Sequence, residues 1–466
     1  MLRSQIRSLT NPIGGSAAFS HGTKSGENFV TFSVGTAAVG SSYVSKNSDD
    51  EDVTFSIYSG ILTFSYPQTH SYIGVGDVVS SAGDNVYLNR KINTNQWAVT
   101  DQYGNAPSDV SDVTLIAIDK TFNSLLDAIH DTGSGAEVLL RTNDLVTLGS
   151  TLRIVLYVMT DTSADSVNVT GWTTDEYNYV RLFTPYDIRT ECNSKQRHLG
   201  IINTGYTFNK TGGSTSIWLR SNYTEMEGLC VNTASSGVCI NVSSGSYVGC
   251  KVLHNVVKGA LSSNIYLNAS AIAVGNISYD GLIGIRDSGN DAILINNTIV
   301  DCPTGIQGGA GTQSWNNLIK GSITACLSGV GIINNTITSD ATGDIQNATI
   351  VFRDETSDDF HIDFNSIDSL VVGADPITGG DSTVTSLFLF DRDIDTELMA
   401  GNGWPIGADR FVPEPHFAIG KDITTDLNSG GNVTIVNPHT NDLVLKAMEG
   451  PNGMMIVRID QSYFGE

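Results

Sequence analysis

The chain has 466 residues, with Lys plus Arg at 25 against Asp plus Glu at 49, a formal net charge of −24. So few cations exclude direct binding of nucleic acid, because phosphate neutralisation needs clustered Lys and Arg; the acidity favours solubility and self-avoidance instead. No stretch approaches eighteen consecutive apolar residues, which excludes insertion of a helix into a membrane.

Residues 1–27 are Ser/Gly-rich, mildly basic and aperiodic, which predicts an arm that orders on a partner. They contain no apolar run of seven or more residues, so no secretory signal peptide is expected. Residues 28–118 alternate apolar and polar, as in Val53-Thr54-Phe55-Ser56-Ile57-Tyr58, and predict a small antiparallel β domain suited to docking. Residues 119–130 place Phe122, Leu125, Leu126 and Ile129 at helical spacing. An amphipathic helix is expected there, capping the domain that follows.

That domain, 119–410 with its cap helix, is expected to be a solenoid. Strand-like runs begin at Glu137-Val138-Leu139-Leu140 and continue through Arg153–Val158 and Tyr179–Phe183. An Asn followed two residues later by an aliphatic then recurs at Asn255, Asn276, Asn297, Asn317, Asn335 and Asn365, in steps of 21, 21, 20, 18 and 30. Apolar runs of three to five residues separated by Gly, Asn, Ser, Thr and Asp fit short strands joined by tight turns. A period near twenty of that kind predicts a parallel β solenoid, each coil burying its apolar side against its neighbours. The repeated Asn is expected to form a side-chain amide ladder, as in other stacked β structures. The stretched last step leaves room for a loop.

Cys230 and Cys250, and Cys302 and Cys326, are spaced to occupy equivalent places on neighbouring coils. The six cysteines match no zinc spacing and are expected to be reduced core fillers. Residues 411–466 return to alternation and predict a small C-terminal β unit or distal cap.

Particular motifs carry a resemblance. Tyr72-Ile73-Gly74-Val75-Gly76-Asp77-Val78-Val79, Trp97-Ala98-Val99, Gly171-Trp172-Thr173-Thr174 and Gln196-Arg197-His198 resemble a module set ahead of right-handed parallel β-helices in phage-type and environmental surface proteins. Asp359-Phe360-His361-Ile362, Asp393-Ile394-Asp395 and Trp404-Pro405-Ile406-Gly407-Ala408-Asp409 resemble the segment that closes many such helices. Glu397 and Arg410 depart from that pattern. The resemblance spans about 70–410 and implies an all-β chain built on a right-handed single-stranded parallel β-helix of the pectate-lyase-like superfold. That fold hosts lyases, hydrolases, tailspikes and inert appendages alike.

Four acids, Asp354, Glu355, Asp358 and Asp359, lie in the stretched step and are the candidates for a glycosidase pair. Residues 351–400 hold twelve acids against two Arg, so a solvated acidic face is the simpler account. Asp391, Asp393 and Asp395 alternate along an extended segment and are the candidate calcium ligands; otherwise no cofactor is expected. The eight His are dispersed, and His198 and His361 are expected to be structural. Trp218 and Trp315 are the candidates for carbohydrate stacking, provided that one exterior face carries both.

The functional expectation is a non-enzymatic structural or adhesive protein on the surface of a virus particle: a bacteriophage tail spike or fibre, head fibre or capsid decoration. Its N-terminal region would dock on other virion proteins, the chain would self-associate as a homotrimer, and host surface polysaccharide is a candidate ligand. The alternatives are a polysaccharide-degrading lyase or glycoside hydrolase, and a bacterial surface adhesin or filament subunit.

Overall fold

The computed structural model describes residues 28–36, 44–46 and 52–362, apart from 84, 130–134, 234–236, 243–246, 269, 290, 335, 344 and 347–349. It also describes Ile394, Gly407, Ala408 and the backbone of three strands between 433 and 459. Two compact units divide the chain at 411/412. In the second, Val433–Val436, Leu443–Glu449 and Met455–Ile459 form an antiparallel meander.

The first unit is mostly β and holds three long parallel sheets of nine, eight and seven strands among the described residues. Each sheet takes every third strand. Ile293–Ile295, Thr298–Val300 and Thr304–Gln307, for example, enter the nine-, eight- and seven-stranded sheets in turn, and the next strands, Gln313–Trp315, Leu318–Lys320 and Ala325–Ser328, pair with them in parallel. We call each such passage a rung.

Short β-branched strands suit this arrangement because alternate residues point in and out. From one rung Leu294, Ile299 and Ile306 point inward, all fully buried, and stack on equivalent residues above and below in one continuous core. Each fully buried aliphatic contributes about 1.5–3 kcal/mol.

The repeated asparagines stand at the corner between the nine- and eight-stranded sheets. Asn255 Nδ2 donates to Asn276 Oδ1 at 3.0 Å, Asn276 Nδ2 to Asn297 Oδ1 at 2.9 Å, and Asn297 Nδ2 to Asn317 Oδ1 at 2.9 Å. The backbone N–H of each also donates to the next amide oxygen, at 2.8–3.0 Å. Asn335 and Asn365 lie outside the described residues. The residue before each ladder position is left-handed: His254 (φ 51°), Gly275 (64°), Asn296 (52°) and Asn316 (51°). Asn tolerates that conformation and Gly adopts it freely, which explains why Asn-Asn recurs here.

The N-terminal region differs from expectation in three places. Asn28–Val34 belongs to the parallel stack, not to the antiparallel domain: all seven residues pair in parallel with Ser150–Leu156, and Val30, Phe32 and Val34 enter the main core. The expected helix over 119–130 is confined to Leu125–Ile129, because Ala117–Asp119 is a strand and Phe122 bridges to Val34. The run expected as a strand at 137–140 is the short helix Ala136–Leu140, closed by Arg141 at φ 54°. These helices and Leu145–Leu148 contribute Leu125, Ala128, Leu140 and Leu145 to the core beside Leu152 and Val167.

An antiparallel sheet of seven strands spans Thr54–Tyr58 to Ala117–Asp119. Its core of Phe55, Leu62, Phe64, Leu88 and Trp97 includes Val155, Tyr157 and Phe183 from the outer face of the nine-stranded sheet, so the module is seated on that face. Lys120 is buried in the seam with its Nζ 2.7 Å from Asp77 Oδ1 and 3.1 Å from the Tyr157 ring centroid. Farther along the same face, buried Arg181 pairs with Glu225 at 2.9 Å and Glu227 at 2.6 Å, and Arg197 also bonds Glu227.

Among the described residues all six cysteines are free and buried. Cys230 and Cys250 do not stack: Cys230 lies in the eight-stranded sheet opposite Val256, and Cys250 precedes the nine-stranded sheet's Lys251–Leu253. Cys302 precedes Thr304, whereas Cys326 follows Ala325, the partner of Thr304, so these two are also out of register. Turn lengths differ from rung to rung, and equal sequence spacing therefore does not give equal position.

Candidate functional site

The stretched step after the regular repeats folds into a hairpin, Phe352–Asp354 paired antiparallel with Asp359–Ile362 around the single 3-10 turn Glu355–Ser357. Phe352, Phe360 and Ile362 pack in one cluster with Val256, Ile277, Leu318 and Ile337, the outward residues of the eight-stranded sheet. Phe360 meets Tyr279 edge-on at 4.7 Å and Phe352 at 5.5 Å. The hairpin is thus an apolar strap across the outer wall.

All four candidate acids of this strap have bonded partners. Asp354 caps the turn, accepting from Thr356 N at 3.1 Å, Thr356 Oγ1 at 2.6 Å and Ser357 Oγ at 2.8 Å. Those hydroxyls hold its carboxyl below the usual range. Asp358, left-handed at φ 59°, accepts from Lys258 Nζ at 2.6 Å. Glu355 accepts from Lys320 Nζ, and Asp359 is bonded to His361 Nδ1.

Two further acids complete the constellation. Asp280 and Asp301 occupy left-handed corners on adjacent rungs, at φ 54° and 51°. Asp280 lies 3.4 Å from Lys258. The Asp301 carboxyl is raised, first by burial and then by the charges of Glu355 and Asp280. Sequence reasoning passed over Lys258, Asp280, Asp301 and Lys320. Their signal was available in the same period: Lys258-Gly259, Tyr279-Asp280, Val300-Asp301 and Lys320-Gly321 all end strands of the eight-stranded sheet.

Chemically, the Lys258–Asp358 and Lys320–Glu355 ion pairs of this cluster fasten the strap. Among the described residues no three His, Cys, Asp or Glu are grouped to hold a metal ion. Asp391, Asp393 and Asp395 lie outside those residues; between them Ile394 is buried in the outer cluster and its N–H donates to Ala408 O at 2.9 Å. No described helix is long and apolar enough to cross a membrane.

The two candidate tryptophans stand on different faces. Trp218 points outward from the seven-stranded parallel sheet, half-buried, with Arg220 Cζ 3.8 Å from its ring centroid. Trp315 points outward from the nine-stranded sheet and packs with Leu253, Ile272, Val274 and Ile295. A shared stacking platform is therefore ruled out by register. Trp172 lies in the main core. His198 Nε2 bonds His254 O at 2.9 Å, while His361 lies against Gly200, where an added Cβ would come within 2.8 Å of the ring.

No protein-family model matches the chain, and comparison with curated proteins and with solved structures gives no match either.

Proposed function

We propose that the chain is a right-handed parallel β-helix acting as a non-enzymatic structural and adhesive element, carried on the surface of a virus particle and docked through its N-terminal region. The observation that carries this reading is the use made of the strap's acids: Asp354, Glu355, Asp358 and Asp359 serve as a turn cap and as bonds to Lys320, Lys258 and His361. Handedness is supported by the strong preference of parallel crossovers for the right-handed sense. A continuous core with a buried amide ladder favours length and stiffness over internal motion. Placement on a phage-like particle is supported by the resemblance over 70–410, and self-association as a trimer accompanies it.

Mass photometry at micromolar concentration tests assembly: trimers are expected, and monomer alone would sink that part. Incubation with capsular and plant polysaccharides tests the non-enzymatic part, with no new reducing ends or unsaturated products expected. One observation favours a hydrolase instead: the Asp301 carboxyl, raised first by burial and then by the charges of Glu355 and Asp280, stands among neighbouring carboxyls, and glycosidases work with a carboxyl pair. Sugar release that Asp301→Asn abolishes would establish that alternative.

A further inference from the structure

The outer face of the seven-stranded parallel sheet carries a row of side chains whose alignment follows from the strand register. Asn168 stands opposite Trp218, Trp218 opposite Asn241, Asn241 opposite Tyr266, Tyr266 opposite Arg286 and Arg286 opposite Gln307. Their neighbours Val169, Leu219, Ile265, Ile285 and Ile306 enter the core, so alternation turns the row outward. The two aromatic rings are two strand spacings apart, about 9.6 Å. A guanidinium accompanies each ring: Arg220 Cζ lies 3.8 Å from the centroid of Trp218, and Arg286 Cζ 5.4 Å from that of Tyr266.

Two properties mark this row as a binding surface. In a chain of net charge −24, its described outward positions hold two arginines and no carboxylate, and neither guanidinium has a carboxylate partner among the described residues. Independently, Asn241 is 7% exposed and its Oδ1 has no hydrogen-bond partner; the Oδ1 of Asn168 is also unpartnered. These two acceptors flank Trp218 on the rungs before and after it. Unpaired acceptors of this kind call for a donor.

We propose that this face binds an acidic polysaccharide lying across the strands, along the axis of stacking. Sugar rings pack on Trp218 and Tyr266, carboxylates of the polymer meet Arg220 and Arg286, and hydroxyls donate to Asn168 and Asn241. A peptide strand would seek unpaired backbone groups at a sheet edge, which a sheet face does not offer. Nucleic acid needs many more cations than two. The inference rests on the adhesive part of the proposed function and supplies its ligand class; assembly into a rod does not depend on it.

Affinity electrophoresis of the full chain through gels containing alginate, polygalacturonate, hyaluronate or polysialate, with dextran and mannan as neutral controls, tests the proposal. Retardation by at least one acidic polymer and by neither neutral one is expected. Arg286→Gln should weaken that binding about ten-fold, the loss of one charge-assisted hydrogen bond. Trp218→Ala should weaken it similarly, and Trp315→Ala, on the other sheet, should leave it unchanged. Thermal melts accompany every variant; if Trp218→Ala unfolds, Arg286→Gln decides, since it removes charge from a half-buried position on the outer face without emptying the core. No retardation by any acidic polymer, equal retardation by a neutral one, or an unaltered Arg286→Gln would overturn the proposal. Mass photometry on the same samples separates such a failure from a failure of assembly.

Discussion

Asn276 donates its side-chain N–H to Asn297 Oδ1 at 2.9 Å and to Val252 O at 2.9 Å, and its own Oδ1 accepts the backbone N–H of Asn255 at 2.9 Å. Its Oδ1 also accepts from Asn255 Nδ2 at 3.0 Å, so one fully buried amide satisfies four groups on the rungs before and after its own. Asn276→Ala strands them where no water replaces the bonds, and a loss of about 2–4 kcal/mol is expected. Chemical unfolding measures it; a change below about 1 kcal/mol would mean that the ladder is dispensable.

The residue preceding the ladder is constrained differently. Asn316 sits at φ 51°, where a β-branched side chain is strained and Gly is not. Asn316→Val is expected to cost about 1–2 kcal/mol, and Asn316→Gly to stay within about 1 kcal/mol of the parent. Gly275→Ala should be costlier than Asn316→Gly, because its Cβ would lie 2.4 Å from His254 Nδ1. Melting temperatures ranked in that order are the check.

The strap is pinned by two lysines, each about a quarter exposed, Lys258 to Asp358 and Lys320 to Glu355. Solvent screening limits each pair to about 0.5–1 kcal/mol. Replacing both lysines by Met should leave the global melting temperature nearly unchanged while residues 352–362 exchange amide hydrogens faster. Unchanged exchange would show that the aromatic contacts of Phe352 and Phe360 hold the strap unaided.

Burial raises the cysteine thiols, to about 11 for Cys230 and about 12 for Cys250 and Cys302, from the 9.0 of an exposed thiol. The folded chain therefore keeps protons that the unfolded chain releases. This contribution is complete below pH 9 and is lost as pH climbs from 9 towards 12, so stability falls across that window. A disulfide-exchange dye should find no reactive thiol in native protein near neutral pH and all six after denaturation. Fast labelling of native protein would contradict the buried positions.

In the seam beneath the N-terminal module, Lys120 and Asp77 form a pair wholly removed from solvent. Burial lowers the lysine to about 8. Lys120→Met leaves the Asp77 carboxylate without its cation and is expected to cost about 3–5 kcal/mol. Adding Asp77→Asn should recover part of the loss, because the amide carries no charge and still accepts from Gly74 N. Equal stability of the single and double variants would exclude charge burial as the cause.

Much of the stacked architecture was legible in the chain. The steps of 21, 21 and 20 between asparagines correspond to rungs, because three short strands and their turns consume about that many residues. The strap was legible as a gap in the period, though its partners were not. Lys258 and Asp358 are one hundred residues apart and meet only because the chain folds back over the eight-stranded sheet. Misreadings came where local pattern was ambiguous: 137–140 carries apolar residues that suit strand or helix, and 28–34 alternates equally well for either kind of sheet.

The sequence by itself determined the repeat, the corner asparagines and the inward residues of each rung, since all three depend on neighbours within about twenty positions and on alternation of side chains. The tertiary structure decided which outer face each remaining side chain occupies. Trp218 and Trp315 have similar chemistry, yet turns of unequal length bring the first beside Arg220, near Asn241 and Tyr266, and the second into an apolar cluster on another sheet. Lateral position is a sum over every preceding turn, and no local pattern encodes it.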